Sequence, residues 1–200
     1  MKVWEDIWDN LLWNRILING PAILFVFILL FSVFAKQYSL FYVIPFFILV
    51  NLLNIFLKAS FKTQFGHVDE KGRLTGPSWG LRPSTCGKVG DKCVGCGFHA
   101  SISTTDEKGK EKGEKEKKWG FPSGHAQASV ALATFFTLYL LKMPNKILNL
   151  SILLPMWLFV LCVLYQRHHS ECHNLAQLLS GSLVGFFLGF LCFSFSKLSS

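Results

Sequence analysis

The sequence predicts an all-α integral membrane helical bundle, with about five transmembrane helices and an N-terminal helix lying in the interface. Two observations carry that prediction. Hydrophobic residues make up 51% of the 200 positions and are gathered into blocks, several of which reach the roughly 20 residues that cross a bilayer. Thirteen of the 20 basic residues fall within 58–118, together with eight acidic ones. The formal charge of +8 is therefore held largely in one polar loop and is not a basic face on a soluble fold. That excludes nucleic acid as the expected partner and favours the membrane surface or a phosphorylated lipid. The length fits one domain.

In chain order, residues 1–15 place Trp4, Ile7, Trp8, Leu11 and Leu12 at helical spacing, with Glu5, Asp6, Asp9 and Asn10 between them. This pattern predicts an amphipathic helix at head-group level. The acidic start lacks a short basic leader, so no cleavable signal peptide is expected. Apolar runs predict spans at 16–35, 40–57, 123–143, 147–165 and 175–195. Asn51 and Asn54 share a face of the second span and are expected to point inward. Pro155 is expected to kink the fourth. Gly181, Gly185 and Gly189 recur every four residues in the fifth, a face suited to close helix packing. The polar loop 58–118 is rich in Gly, Pro and Cys in its first half. Residues 104–118 are a Lys/Glu/Gly tract expected to be solvated and to build no core.

Counting crossings puts three polar clusters on one membrane face. The first is Pro122-Ser123-Gly124-His125. Pro122 suits the first turn of a helix, and Ser123 and Gly124 supply a hydroxyl and accessible backbone N–H groups at a helix start, an anion site. His125 adds a titratable ring. The second cluster is Arg167-x5-His173-x3-Gln177. Arg167 offers a planar fork for phosphate oxygens, His173 a nucleophile or base, and Gln177 lies one helical turn beyond His173. The third is Arg82-Pro83 with Lys58 upstream. Lys58 also reads as a lysine snorkelling from a span end.

Together these clusters resemble the type 2 phosphatidic acid phosphatase superfamily, which includes the vanadium haloperoxidases. Its pattern is Lys-x6-Arg-Pro, then Pro-Ser-Gly-His, then Ser-Arg-x5-His-x3-Asp. The resemblance runs over about residues 52–195. It implies a lipid phosphate phosphatase: His173 attacks phosphorus, and His125 protonates the leaving alkoxide. Lys58, Arg82, Arg167, Ser123 and the Gly124 N–H would hold the phosphoryl oxygens, with no metal cofactor for catalysis. Phosphatidic acid, phosphatidylglycerophosphate and a polyprenyl diphosphate all fit as substrate.

The chain departs from the pattern in three places. Gln166 stands for the Ser, Gln177 for the Asp, and an insertion separates Lys58 from Arg82, with Lys62 as the alternative lysine. An amide at 177 can present its oxygen to His173 and hold the productive tautomer, or its NH2 and select the wrong one. On that reading Gln177→Asp raises turnover. The alternative is a catalytically weakened homologue that binds phosphorylated lipid or a protein partner.

Cys86, Cys93, Cys96 and His99 form a second constellation in the loop. It reads either as a structural Cys3His zinc site or as a disulfide with a free thiol. Cys162, Cys172 and Cys192 read as packing residues. The basic loop favours the cytoplasm, whereas the family resemblance places the active-site face on the periplasmic, lumenal or extracellular side.

Overall fold

The computed structural model describes residues 11–70, 73–83, 87–89, 92–94, 96, 102–103 and 119–198. Within them run α1 (Leu11–Ile18), α2 (Gly20–Phe34), a 3-10 turn (Tyr38–Tyr42), α3 (Val43–Phe65), α4 (Gly124–Leu140), α5 (Lys146–His169) and α6 (Leu175–Leu198). The all-α class predicted from the sequence is the class observed. Two small antiparallel sheets sit in the polar loop, which the sequence did not predict. One pairs β1 (His67–Val68) with β2 (Leu74–Thr75); the other has the order β3 (Gly87–Val89), β4 (Lys92–Val94), β5 (Ile102–Ser103). Residues 1–10 and 104–118, which carry most of the expected interfacial helix and the whole Lys/Glu tract, lie outside the described residues.

Among the described residues, three stretches are long and apolar enough to cross a membrane: Tyr38–Phe65, Lys146–His169 and Leu175–Ser196. They turn large apolar side chains outward, including Ile55, Leu154, Leu183 and Phe187. An apolar exterior of this extent fits a membrane protein. The two other expected spans are shorter helices. The run 16–35 breaks at Asn19, whose side chain folds back to donate to Arg15 O at 2.8 Å. Gly20 and Pro21 then restart the helix, with Gly20 close against Val163. What remains, α2, has 15 residues, about 22 Å of rise.

The third expected span, α4, is the centre of the bundle. Every residue from 124 to 136 is buried. Its small residues let α6 approach backbone to backbone: a Cβ on Gly181, Gly185 or Gly189 would run into the carbonyl oxygens of Ser123, Gln127 and Ala131 respectively. The four-residue glycine repeat therefore does what its spacing predicted. Asn54 also points inward as expected, donating to Gln127 Oε1 at 2.8 Å, and Gln127 Nε2 donates in turn to Val50 O at 3.1 Å. Asn51 instead bonds back to Phe47 O on its own helix. The core proper joins Leu24, Ile28, Val43, Phe46, Phe135 and Val160. Pro155 lies inside α5, which runs on through His169.

Candidate active site

Four chain ends meet at one end of the bundle. The segment 80–82 is held against 119–120 by a bridge between Leu81 and Trp119 and by the Gly120 N–H donating to Gly80 O at 2.8 Å. That pairing brings Arg82 beside the start of α4. Ser123 is the N-cap of α4, its hydroxyl accepting from the Ala126 N–H. Pro122 therefore precedes the cap and is not in the first helical turn, as its sequence context suggested. The Ser123 N–H donates to Gln177 O at 3.0 Å, which ties the start of α4 to the start of α6.

Helix α5 continues two residues past Arg167, so Gln166 and Arg167 belong to its last turn and not to a polar connection. The chain then reverses through Ser170 and Glu171, the latter in the left-handed region at φ 56°. The reversal lets the His173 N–H donate to Arg167 O at 3.1 Å. Asn174 starts α6: its Oδ1 accepts from the Gln177 N–H at 2.9 Å, and its Nδ2 donates to Ser78 O at 2.9 Å.

Between these ends sits His173, 1% exposed. Its Nδ1 is 2.9 Å from Gln177 Oε1. Gln177 Nε2 donates to Trp79 O at 3.0 Å and Leu81 O at 2.8 Å. Both amide hydrogens are thus taken by acceptors, and the oxygen is the atom left for the ring. Oε1 can only accept, so Nδ1 carries the hydrogen and Nε2 keeps its lone pair. Gly120 makes room for this arrangement, because a Cβ there would lie 2.6 Å from Gln177 Oε1 and 2.8 Å from Arg82 Cγ.

The site is cationic and largely buried. Arg167 is fully buried; its Nη2 donates to Cys96 O at 2.8 Å, while Nε and Nη1 have no hydrogen-bond partner among the described residues. Arg82 Nε is likewise buried without a partner. Among the described residues no carboxylate pairs with Lys58, Arg82 or Arg167. Burial, first, and then the charges of Arg167, Arg82 and Lys58 push His173 well below the usual imidazole range; the Gln177 hydrogen bond acts the other way. Burial also lowers Arg82. Buried donors without acceptors call for an anion.

The structure brings together Lys58, Arg82, Ser123, Gly124, His125, Arg167, His173 and Gln177. Lys58 and Arg82, split in the sequence, both act on His173, whereas Lys62 is exposed. His125 is buried, with Nε2 donating to Ile18 O at 3.0 Å, so α1 reaches the same end of the bundle. One member of the loop constellation is corrected. Cys96 is bonded to Cys172 in a disulfide, so its sulfur is not a thiolate ligand, and Cys172 is not merely a packing residue. The reversal after α5 is what carries Cys172 to the loop. Cys86, His99 and the side chain of Cys93 lie outside the described residues, among which no cluster of His, Cys, Asp and Glu could hold a metal.

The family model described as the PAP2 superfamily matches residues 93–199, more than half of the chain. The chain belongs to the PAP2 superfamily. Membership supports a phosphatase-type function on lipid phosphates at family level. No curated protein and no solved structure matches the chain. The PAP2 match includes Ser123, His125, Arg167, His173 and Gln177, and it begins after Lys58 and Arg82. Those two join the PAP2 site through the fold.

Sequence reasoning missed the carbonyls of Trp79 and Leu81, the clearance at Gly120 and the partnership of Cys96 with Cys172. None carries a side-chain motif. The Gly-Pro-Ser-Trp-Gly run at 76–80 was a signal for a tight turn, and it is the turn that supplies the carbonyls.

Proposed function

We propose that this chain is a membrane-bound lipid phosphate phosphatase acting through a phosphohistidine on His173. The observation that carries the reading is a fully buried Arg167 with two nitrogens that have no partner among the described residues, joined through the backbone to a histidine held in the Nε2 lone-pair form. Nε2 of His173 attacks phosphorus. The N–P bond forms as the P–O bond to the lipid breaks, and His125, doubly protonated for this step, gives the leaving oxygen the proton of Nδ1 while its Nε2–H stays on Ile18 O. Arg82, Arg167, Lys58 and the N-terminus of α4 hold the charge on the phosphoryl oxygens. Water then cleaves the phosphohistidine. The three cationic side chains supply the positive charge that a metal ion supplies in other phosphatases.

Phosphatidic acid, phosphatidylglycerophosphate and a polyprenyl diphosphate remain the substrates that fit. We read the active-site face as the periplasmic, lumenal or extracellular one. The Cys96–Cys172 disulfide at that face supports this, since such bonds persist in oxidising compartments.

The test is phosphate release from a panel of these lipids by detergent-purified protein, with EDTA and a His173→Ala control. Release that survives EDTA and disappears with His173→Ala is the expected result. No release by folded protein across the panel would replace this reading with a homologue that binds phosphorylated lipid without turnover.

A further inference from the structure

We propose that the Cys96–Cys172 disulfide is a clamp that positions the phosphate-binding fork of Arg167, so that phosphate affinity follows the redox state of this bond. The proposal rests on the phosphatase reading of the same site.

Cys96 belongs to the polar loop, 76 residues before its partner. Cys172 immediately precedes His173 in the reversal after α5. Both cysteines are buried. The same Cys96 whose sulfur is bonded to Cys172 presents its carbonyl oxygen to Arg167 Nη2 at 2.8 Å. A guanidinium is a planar fork, so one nitrogen held by a fixed acceptor sets the plane of the other donors. Those other donors, Nε and Nη1, have no partner among the described residues, and they are the ones left for phosphate. The acceptor is a backbone atom of a loop residue; what fixes it in place is the covalent bond to the segment that carries the nucleophile. The clamp thus joins the loop, the fork and His173 in one unit.

Opening it needs two electrons and two protons. A dithiol supplies both: one thiolate displaces a cysteine sulfur to give a mixed disulfide, and the second closes the oxidised dithiol ring, leaving thiols on Cys96 and Cys172. The freed loop no longer holds the Cys96 carbonyl on Arg167. The fork then turns in its pocket, and the phosphate group meets a disordered donor set. The expected signature is a weaker KM with a smaller change in kcat, because the chemistry at His173 keeps its Gln177 partner.

The test uses the full chain in detergent in four states: oxidised, dithiol-reduced, reoxidised, and a Cys96→Ser/Cys172→Ser double variant. Two readouts are taken, labelling of Arg167 by phenylglyoxal followed by mass spectrometry, and kcat and KM for phosphatidic acid. Reduction is expected to raise Arg167 labelling severalfold and KM about tenfold, the scale of one charge-assisted hydrogen bond. Reoxidation restores both, and the double variant matches the reduced protein and ignores dithiol. Equal Arg167 labelling in oxidised and fully reduced protein overturns the clamp. A fall in helical content on reduction also overturns it, since the bond would then hold the fold and not the fork. Absence of phosphate release in every state overturns the phosphatase reading instead, and the labelling still decides the clamp.

Discussion

His173 Nδ1 lies 2.9 Å from Gln177 Oε1, while the amide nitrogen of Gln177 is committed to the carbonyls of Trp79 and Leu81. This settles the orientation of the amide. A flipped Gln177 would set its oxygen against two carbonyl oxygens and leave both amide hydrogens facing a ring nitrogen that accepts one of them at most. The network therefore selects the tautomer that leaves Nε2 with its lone pair. The same residue ties His173 to the segment that carries Arg82.

From this geometry, Gln177→Asp lowers turnover, opposite to the expectation from the family pattern. The carboxylate is one methylene shorter and brings no donors, so the two backbone carbonyls lose their partners, at about 1–3 kcal/mol each. Gln177→Ala frees the tautomer and lowers kcat by about 10³-fold, somewhat less than an Asp-to-Asn change in a serine protease triad. Steady-state kinetics on phosphatidic acid, with thermal unfolding in the same detergent, measures both effects. A Gln177→Asp variant faster than the parent would overturn the assignment.

The environment of His173 sets a pH dependence. Its folded value is held well below 6.5 by burial and by Arg167, Arg82 and Lys58, so the neutral nucleophile persists below pH 6.5 in the folded protein. The unfolded chain takes up this proton first. The contribution of His173 to stability is therefore complete above about pH 6.5 and is lost as pH falls below it. Arg82→Met removes one repelling charge and moves the His173 titration upward. A histidine-selective NMR titration of parent and variant reads the shift directly; a downward movement would contradict the electrostatic account.

Lys58 is half-buried in charge contact with Arg82 and Arg167, and Lys62 is exposed. Lys58→Ala is expected to raise KM about tenfold through loss of one charged phosphate partner. Lys62→Ala is expected to leave kcat and KM unchanged. The reverse pattern would assign the phosphate contact to Lys62.

Gly185→Ala tests the packing of α6 on α4. On an open helix face Gly→Ala stabilises by roughly 0.5–1 kcal/mol. Here the added methyl meets the Gln127 carbonyl, and forcing the backbones apart costs about 1–3 kcal/mol. The sign of the change in an unfolding titration separates the two situations.

Much of the site was legible because its chemistry is local. Pro-Ser-Gly-His and Arg-x5-His need only their own helix ends to be recognised, and the glycine repeat of α6 states its packing face through a period of four. The spans were legible as apolar runs, two of which contain helices shorter than the run itself. Composition does not register the break at Asn19 or the burial of α4 on every side from 124 to 136.

The sequence by itself determined the helical class, the apolar blocks and the residue types of a phosphate site, because these follow from periodicity and side-chain chemistry within a few turns. Only the tertiary structure decided which atoms serve that site. The orientation of Gln177 depends on carbonyls 98 and 96 residues away. That Lys58 lies within electrostatic reach of Arg82 depends on where Arg82 returns, and the bond of Cys96 to Cys172 depends on the reversal after α5. Backbone acceptors carry no signature in their residue names, and contacts between distant segments are fixed by packing, so neither can be read from spacing along the chain.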